Sequence, residues 1–144
     1  SLKGYIDAQP KSIQLCHIDA VPDNFLFVTG KDGSEEIKLT DWEYAGMQDP
    51  HLDVAMFIIY AMYDRDSAEK LIDLYFSDGC DKATRLKIYC YIAVSGLVWS
   101  NWCEFKRHCG VEFGAYAQRQ YDYAREYTKI FFKEYREAFG RDYV

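Results

Sequence analysis

The chain has 144 residues, 49% of them hydrophobic, enough for one buried core and short enough for one domain. Against 17 basic side chains stand 23 acidic ones, a net charge of -6 with no Lys/Arg cluster interleaved with aromatics, which excludes nucleic acid as a partner because phosphate binding needs a basic face. The longest apolar run, Val54 to Tyr63, is well short of the ~20 residues of a bilayer span, so no membrane segment is expected.

In chain order, the opening Ser1-Leu2-Lys3-Gly4-Tyr5 has no basic region followed by an apolar stretch and reads as no signal peptide. Ser12 to Cys16 is a short apolar stretch with strand character that leads into His17. Phe25-Leu26-Phe27-Val28 is rich in β-formers, Gly30 to Ser34 supplies turn residues, and Ile37-Lys38-Leu39-Thr40 alternates apolar with polar, which predicts a β-hairpin ending at Asp41. After Pro50 the pattern predicts helices over His51 to Tyr63, Ser67 to Phe76, Lys82 to Arg107 and Glu112 to Phe139, with Gly79 and Gly110 separating the later ones. Phe113, Tyr116, Ala124, Tyr127, Phe131, Tyr135 and Ala138 form one apolar stripe on the last of these, and its tyrosines read as packing. The expected fold is mainly α with a small β-hairpin, a single domain over residues 1–144. The five cysteines include no CxxC pair, which implies free thiols, a reducing compartment and a cytoplasmic protein. Cys103, His108 and Cys109 do not converge on one helix face, so no zinc site is expected there.

The chemistry-bearing segment is Cys16-His17-Ile18-Asp19-Ala20-Val21-Pro22-Asp23-Asn24, followed after the hairpin by Leu39-Thr40-Asp41-Trp42-Glu43-Tyr44. Phosphoryl transfer needs a carboxylate to orient a hydroxyl nucleophile and hard oxygen ligands for a metal ion that neutralises the phosphates. His-x-Asp-x-x-x-x-Asn supplies a carboxylate and an amide oxygen on one loop, and Asp41 brings a second carboxylate to the end of the hairpin. Taken singly, each is an ordinary turn residue, since Asp and Asn favour turns. Together, with an intervening hairpin and Asp49-Pro50 and Asp53 at a helix start, they form a pattern.

That pattern resembles the catalytic loop and metal motif of the choline kinase and aminoglycoside phosphotransferase superfamily, from Gln14 onward. Trp42-Glu43 stands where protein kinases have Phe-Gly, which disfavours a protein kinase, and many antibiotic kinases have Gly in place of Glu43. The resemblance implies Asp19 as the catalytic Asp, Asn24 and Asp41 as Mg²⁺ ligands, ATP as phosphate donor, and His17 and Asp53 as structural braces of the loop. His51 reads as a local first-turn residue.

Trp99 and Trp102 are three apart on a predicted helix, so their side chains share a face and offer two π-surfaces to one ligand. Quaternary ammonium ions donate no hydrogen bonds and are held by cation–π contact, with Tyr44 and Glu43 expected as the remaining wall and charge. The alternative for the tryptophans is core packing, the commoner fate of such a pair. Choline kinases resemble the chain here too, with a Trp-x-x-Trp pair after small residues like Ser95-Gly96. The expected substrate is choline; alternatives are thiamine, ethanolamine or an aminoglycoside, or a non-catalytic binding domain. The family's nucleotide-binding lobe, with its glycine-rich loop and Lys, does not precede His17, so the chain is expected to be a C-terminal catalytic lobe, inactive alone and prone to self-association where the cleft is open.

Overall fold

The helices begin where the sequence offers an acceptor to their free amides. In the computed structural model, which describes residues 1–144, Ser1 Oγ accepts from Gly4 N, Asp64 from Ser67 N and Asp81 from Thr84 N. They open α1 (Leu2–Ala8), α3 (Arg65–Tyr75) and α4 (Lys82–His108). Helix α2 covers His51–Tyr60 and α5 covers Ala115–Phe139, which Gly140 ends in the left-handed conformation. No helix is long and apolar enough to cross a membrane.

The strands are short. β1 (Gln14–Cys16) pairs antiparallel with β4 (Gly46–Gln48), Leu15 opposite Met47. β2 (Phe25–Thr29) pairs with β3 (Glu35–Leu39), Phe27 opposite Ile37, as the expected hairpin. The fold is therefore mainly α with small antiparallel sheets. Helix α1 and strand β4 were not expected: α1 is only two turns long, and β4 is a three-residue strand whose partner lies 32 residues upstream. The last helix starts later than its apolar stripe, because Gly114 sits at φ 54° and leaves Phe113 outside it. On α5 the buried positions are Gln120, Tyr123, Tyr127, Phe131 and Tyr135, while Ala138 is exposed.

The core lies between α4 and its neighbours, with Ile58, Ile59, Ile72, Leu86, Ile88 and Ile92 fully buried among the tyrosines of α5. Helices α4 and α5 run closest at Gly96, where an added Cβ would stand 2.7 Å from Gln120 O and 2.9 Å from Tyr123 Cβ. Lys87 is buried in α4 and pins three segments at once: its Nζ donates to Asp49 Oδ2 at 2.8 Å and to Pro10 O at 2.9 Å. Burial alone would raise the Asp49 pKa, but Lys87 and the His51 amide outweigh it and hold it below the ordinary carboxylate value. Burial and the neighbouring Lys87 charge lower the His51 pKa. On the opposite side, Glu134 accepts from both Arg65 and Lys82 at 2.5 Å, tying α3 and α4 to α5.

Candidate active site

The loop after β1 is held by its backbone. The Asp53 carboxylate, in the first turn of α2, accepts from His17 N at 2.8 Å and Ile18 N at 2.9 Å. Ile18 takes φ 71°, costly for a β-branched residue, and the paired hydrogen bonds hold it there. His17 is buried; its Nε2 lies 2.6 Å from Thr40 O and so carries the proton, and its ring meets the edge of Trp42 at 4.8 Å. Asn24 is buried too: its Nδ2 donates to Asp19 O at 3.0 Å, and its own carbonyl accepts from Thr40 N at 3.0 Å and Thr40 Oγ1 at 3.2 Å. Thr40 thus ties the loop to the end of the hairpin, next to Asp41, which turns away through a left-handed φ of 60°.

These bonds leave Asn24 Oδ1 and the Asp41 carboxylate without protein partners on adjoining segments. An amide oxygen and a carboxylate are hard donors, and two of them suit Mg²⁺, which keeps water and is shared with substrate phosphates. The residues fit that ion. No group of three His, Cys, Asp or Glu side chains is placed to enclose a metal entirely.

Asp19 lies at the edge of a cleft of about 530 Å³ between the loop and the α4–α5 turn. Its other wall is aromatic. Tyr60 and Trp99 have ring centroids 5.8 Å apart, Trp99 and Trp102 5.3 Å, Trp102 and Phe113 5.2 Å, and Phe113 and Tyr116 6.4 Å, an unbroken series round the cleft. The Lys106 ammonium lies 5.5 Å over the Trp102 ring. Burial, then the nearby Asp19 carboxylate, raises the Tyr60 hydroxyl pKa; burial first, with Cys103 and Asp19 adding, pushes Tyr116 up to about 12. Both phenols stay protonated near neutral pH.

The structure brings Asp19, Trp99 and Trp102 together at this cleft, and keeps Asn24 and Asp41 together at the hairpin end. Glu43 and Tyr44 do not line the cleft: they sit in a single 3-10 turn over Trp42–Tyr44, both exposed. The wall expected of Tyr44 is formed by Tyr60, Phe113 and Tyr116 instead, and the acids beside it are Asp19 and Asp23. Those aromatics carried no site signal in the sequence. Tyr60 lies inside the apolar run Val54 to Tyr63, and Phe113 and Tyr116 belong to the apolar stripe predicted for the last helix, whose tyrosines read as packing.

The family described as Choline/ethanolamine kinase matches residues 1–79, more than half of the chain. Protein LicA of Haemophilus influenzae is 30% identical over 121 residues, covering 76% of this chain and 41% of that protein. Among solved structures, a choline/ethanolamine kinase family protein from Mesorhizobium loti superposes with a TM-score of 0.73 at 26% identity, over 89% of this chain and 43% of the other. Choline kinase LicA from Streptococcus pneumoniae superposes with a TM-score of 0.66 at 27% identity, over 90% of this chain and 44% of its own, and LicA has also been solved in complex with AMP. The chain spans about two fifths of the length of the relatives it matches.

Proposed function

Because the chain belongs to the choline/ethanolamine kinase family, we propose that it is the substrate- and metal-binding lobe of a kinase that phosphorylates choline. The observation that carries this is the cleft, where the Asp19 carboxylate stands at one side of a wall of five aromatic rings. A quaternary ammonium seated against those rings by cation–π attraction would extend its short arm, with the hydroxyl, toward Asp19. Asp19 accepts the hydroxyl's hydrogen bond and then its proton as the oxygen bonds to the terminal phosphorus and the bond to the leaving nucleoside diphosphate breaks. Asn24 Oδ1 and Asp41 would hold Mg²⁺, which supplies charge neutralisation at the phosphates. Asp53 and His17 fix the loop so that Asp19 needs no reorganisation.

The choice of choline over ethanolamine, thiamine or an aminoglycoside rests on the wall itself. A primary ammonium requires several hydrogen-bond acceptors in place of water, and apart from Asp19, Asp23 and the hydroxyls of Tyr60 and Tyr116 the lining is aromatic or aliphatic. The donor is proposed to be ATP, in keeping with the AMP complex of a related structure. The 144 residues are proposed to act as one lobe beside a nucleotide-binding lobe, in keeping with their coverage of about two fifths of each relative. The five free thiols agree with a cytoplasmic setting.

Calorimetric titration of the chain with choline and with ethanolamine tests the substrate. Choline binding at least about tenfold tighter is expected; equal affinity defeats the aromatic-cage reading. A coupled assay with Mg²⁺ and ATP is expected to show turnover only in the intact kinase, and turnover by the 144-residue chain alone would overturn the two-lobe part of the proposal.

A further inference from the structure

Two acids line the aromatic cleft, Asp19 and Asp23, and no basic residue does. Of its five rings only Trp102 carries a cation, the Lys106 ammonium at 5.5 Å. An aspartate at the start of a helical turn is ordinarily a cap, its carboxylate taken up by a backbone amide, as Asp64 is by Ser67 N and Asp81 by Thr84 N. Asp23 is not spent in this way. It sits in the 3-10 turn Pro22–Asn24, which has no side-chain cap, and its exposed carboxylate accepts no hydrogen bond and meets no Lys, Arg or His as an ion pair. The backbone around it is nevertheless fixed: Val21 N donates to Asp19 O at 2.7 Å, Asn24 N to Val21 O at 3.0 Å, and Asn24 Nδ2 to Asp19 O at 3.0 Å. One braced loop therefore brings two unpaired carboxylates to the same cleft.

Resting on the choline reading above, we propose that Asp23 is the permanent counter-charge for the quaternary ammonium, and so the residue that makes the cleft select a cation over a neutral alcohol of the same shape. Rings that water reaches attract a cation only weakly, and Trp102 is 40% exposed with Lys106 already over it. A carboxylate at the rim adds an attraction through space that needs no hydrogen bond, which suits an ammonium wrapped in methyl groups. Asp19 cannot fill this part. It loses its charge when it takes the hydroxyl's proton, and a cation leaning on it alone would lose its partner during the reaction. Asp23 keeps its charge throughout. The charge expected of Glu43, which lies outside the cleft, is thereby supplied from the loop that carries Asp19.

Calorimetric titration of the 144-residue chain with choline and with its neutral isostere, in which a quaternary carbon replaces the nitrogen, separates charge from shape. Asp23→Asn should weaken choline about fivefold and leave the isostere within about twofold, and Asp23→Glu should recover most of the choline affinity. Raising the salt concentration should weaken choline binding in the wild type and do so less in Asp23→Asn. In the intact kinase, Asp23→Asn should raise KM for choline about fivefold with kcat within about twofold. Unchanged choline affinity in Asp23→Asn overturns the proposal, and so does an equal loss for choline and isostere, which would make Asp23 a prop of the loop. A fall in kcat at constant KM overturns it as well. If the wild type binds choline and Asp23→Asn binds it equally, the counter-charge alone fails; if the wild type binds neither compound, the choline reading fails and takes Asp23 with it.

Discussion

The helical half and the hairpin half of this molecule are built to different rules. Helices α2 to α5 hold nearly all of the core, in which Ile58, Ile72 and Phe131 are wholly buried. The β2–β3 hairpin buries almost nothing: Phe27 is 81% exposed and Ile37 63%. The residues to which the proposed function assigns the chemistry sit at the seam, on a loop that the helices clamp through Asp53 and the hairpin clamps through Thr40. Stability therefore resides in one half and the proposed chemistry at its border, so the two should be separable by mutation.

The sharpest break between them should come at Asp19 and Asp41. Asp19→Ala or Asp41→Ala in the intact kinase is expected to lower turnover by about 10²–10⁴-fold, the range of a lost catalytic proton acceptor, while the thermal midpoint stays near wild type. Near-normal turnover in either folded variant would remove the assignment.

The reverse break belongs to Lys87. Lys87→Met leaves the buried Asp49 without its cation and should destabilise by about 3–5 kcal/mol, read by urea titration. Because the Asp49 pKa is lowered in the folded chain, its contribution is present above the unfolded carboxylate pKa and is lost as pH falls through the folded value. Glu134, which burial would raise but Lys82 and Arg65 lower, adds to the same acid loss. Wild type should lose stability below about pH 4 more steeply than Lys87→Met. Parallel acid profiles would show that the buried pair is not what couples α4 to the start of α2.

The smallest expected effect sharpens the seam itself. Trp102→Leu keeps apolar bulk but removes a π-face worth about 0.5–2 kcal/mol, a loss of roughly two- to thirtyfold in choline affinity with nucleotide affinity unchanged. Calorimetry showing the same choline affinity would return Trp102 to a packing role.

How much of this was legible depended on how far apart the cooperating residues lie. The four long helices, the hairpin and the loop from His17 to Asn24 are local patterns, and the sequence shows them within a residue or a few. Strand β4 exists only because β1 pairs with it, and three residues carry no period of their own. Asp49 reads as a helix-start residue, which it is through the His51 amide, but its second oxygen meets Lys87, whose burial no local rule anticipates. The cleft is the clearest case. Trp99 and Trp102 stood out as neighbours on one helix, while Tyr60, Phe113 and Tyr116 reach them only through tertiary packing, and Glu43 and Tyr44, adjacent to Asp41 in sequence, do not.

Gly96 sets the spacing of the aromatic cleft from outside it. The two long helices touch there and carry Trp99 and Trp102 on one limb and Tyr116 on the other, one to two turns beyond the contact. They work like the blades of tongs whose pivot is a missing methyl group. A side chain at this pivot would meet Gln120 O and Tyr123 Cβ and force the limbs apart, widening the gap between facing rings without altering any residue that lines it. Under the proposed function the girth of the cation would therefore be gauged at a position that does not line the cleft, and Gly96 is where a designer would begin in order to admit a bulkier one.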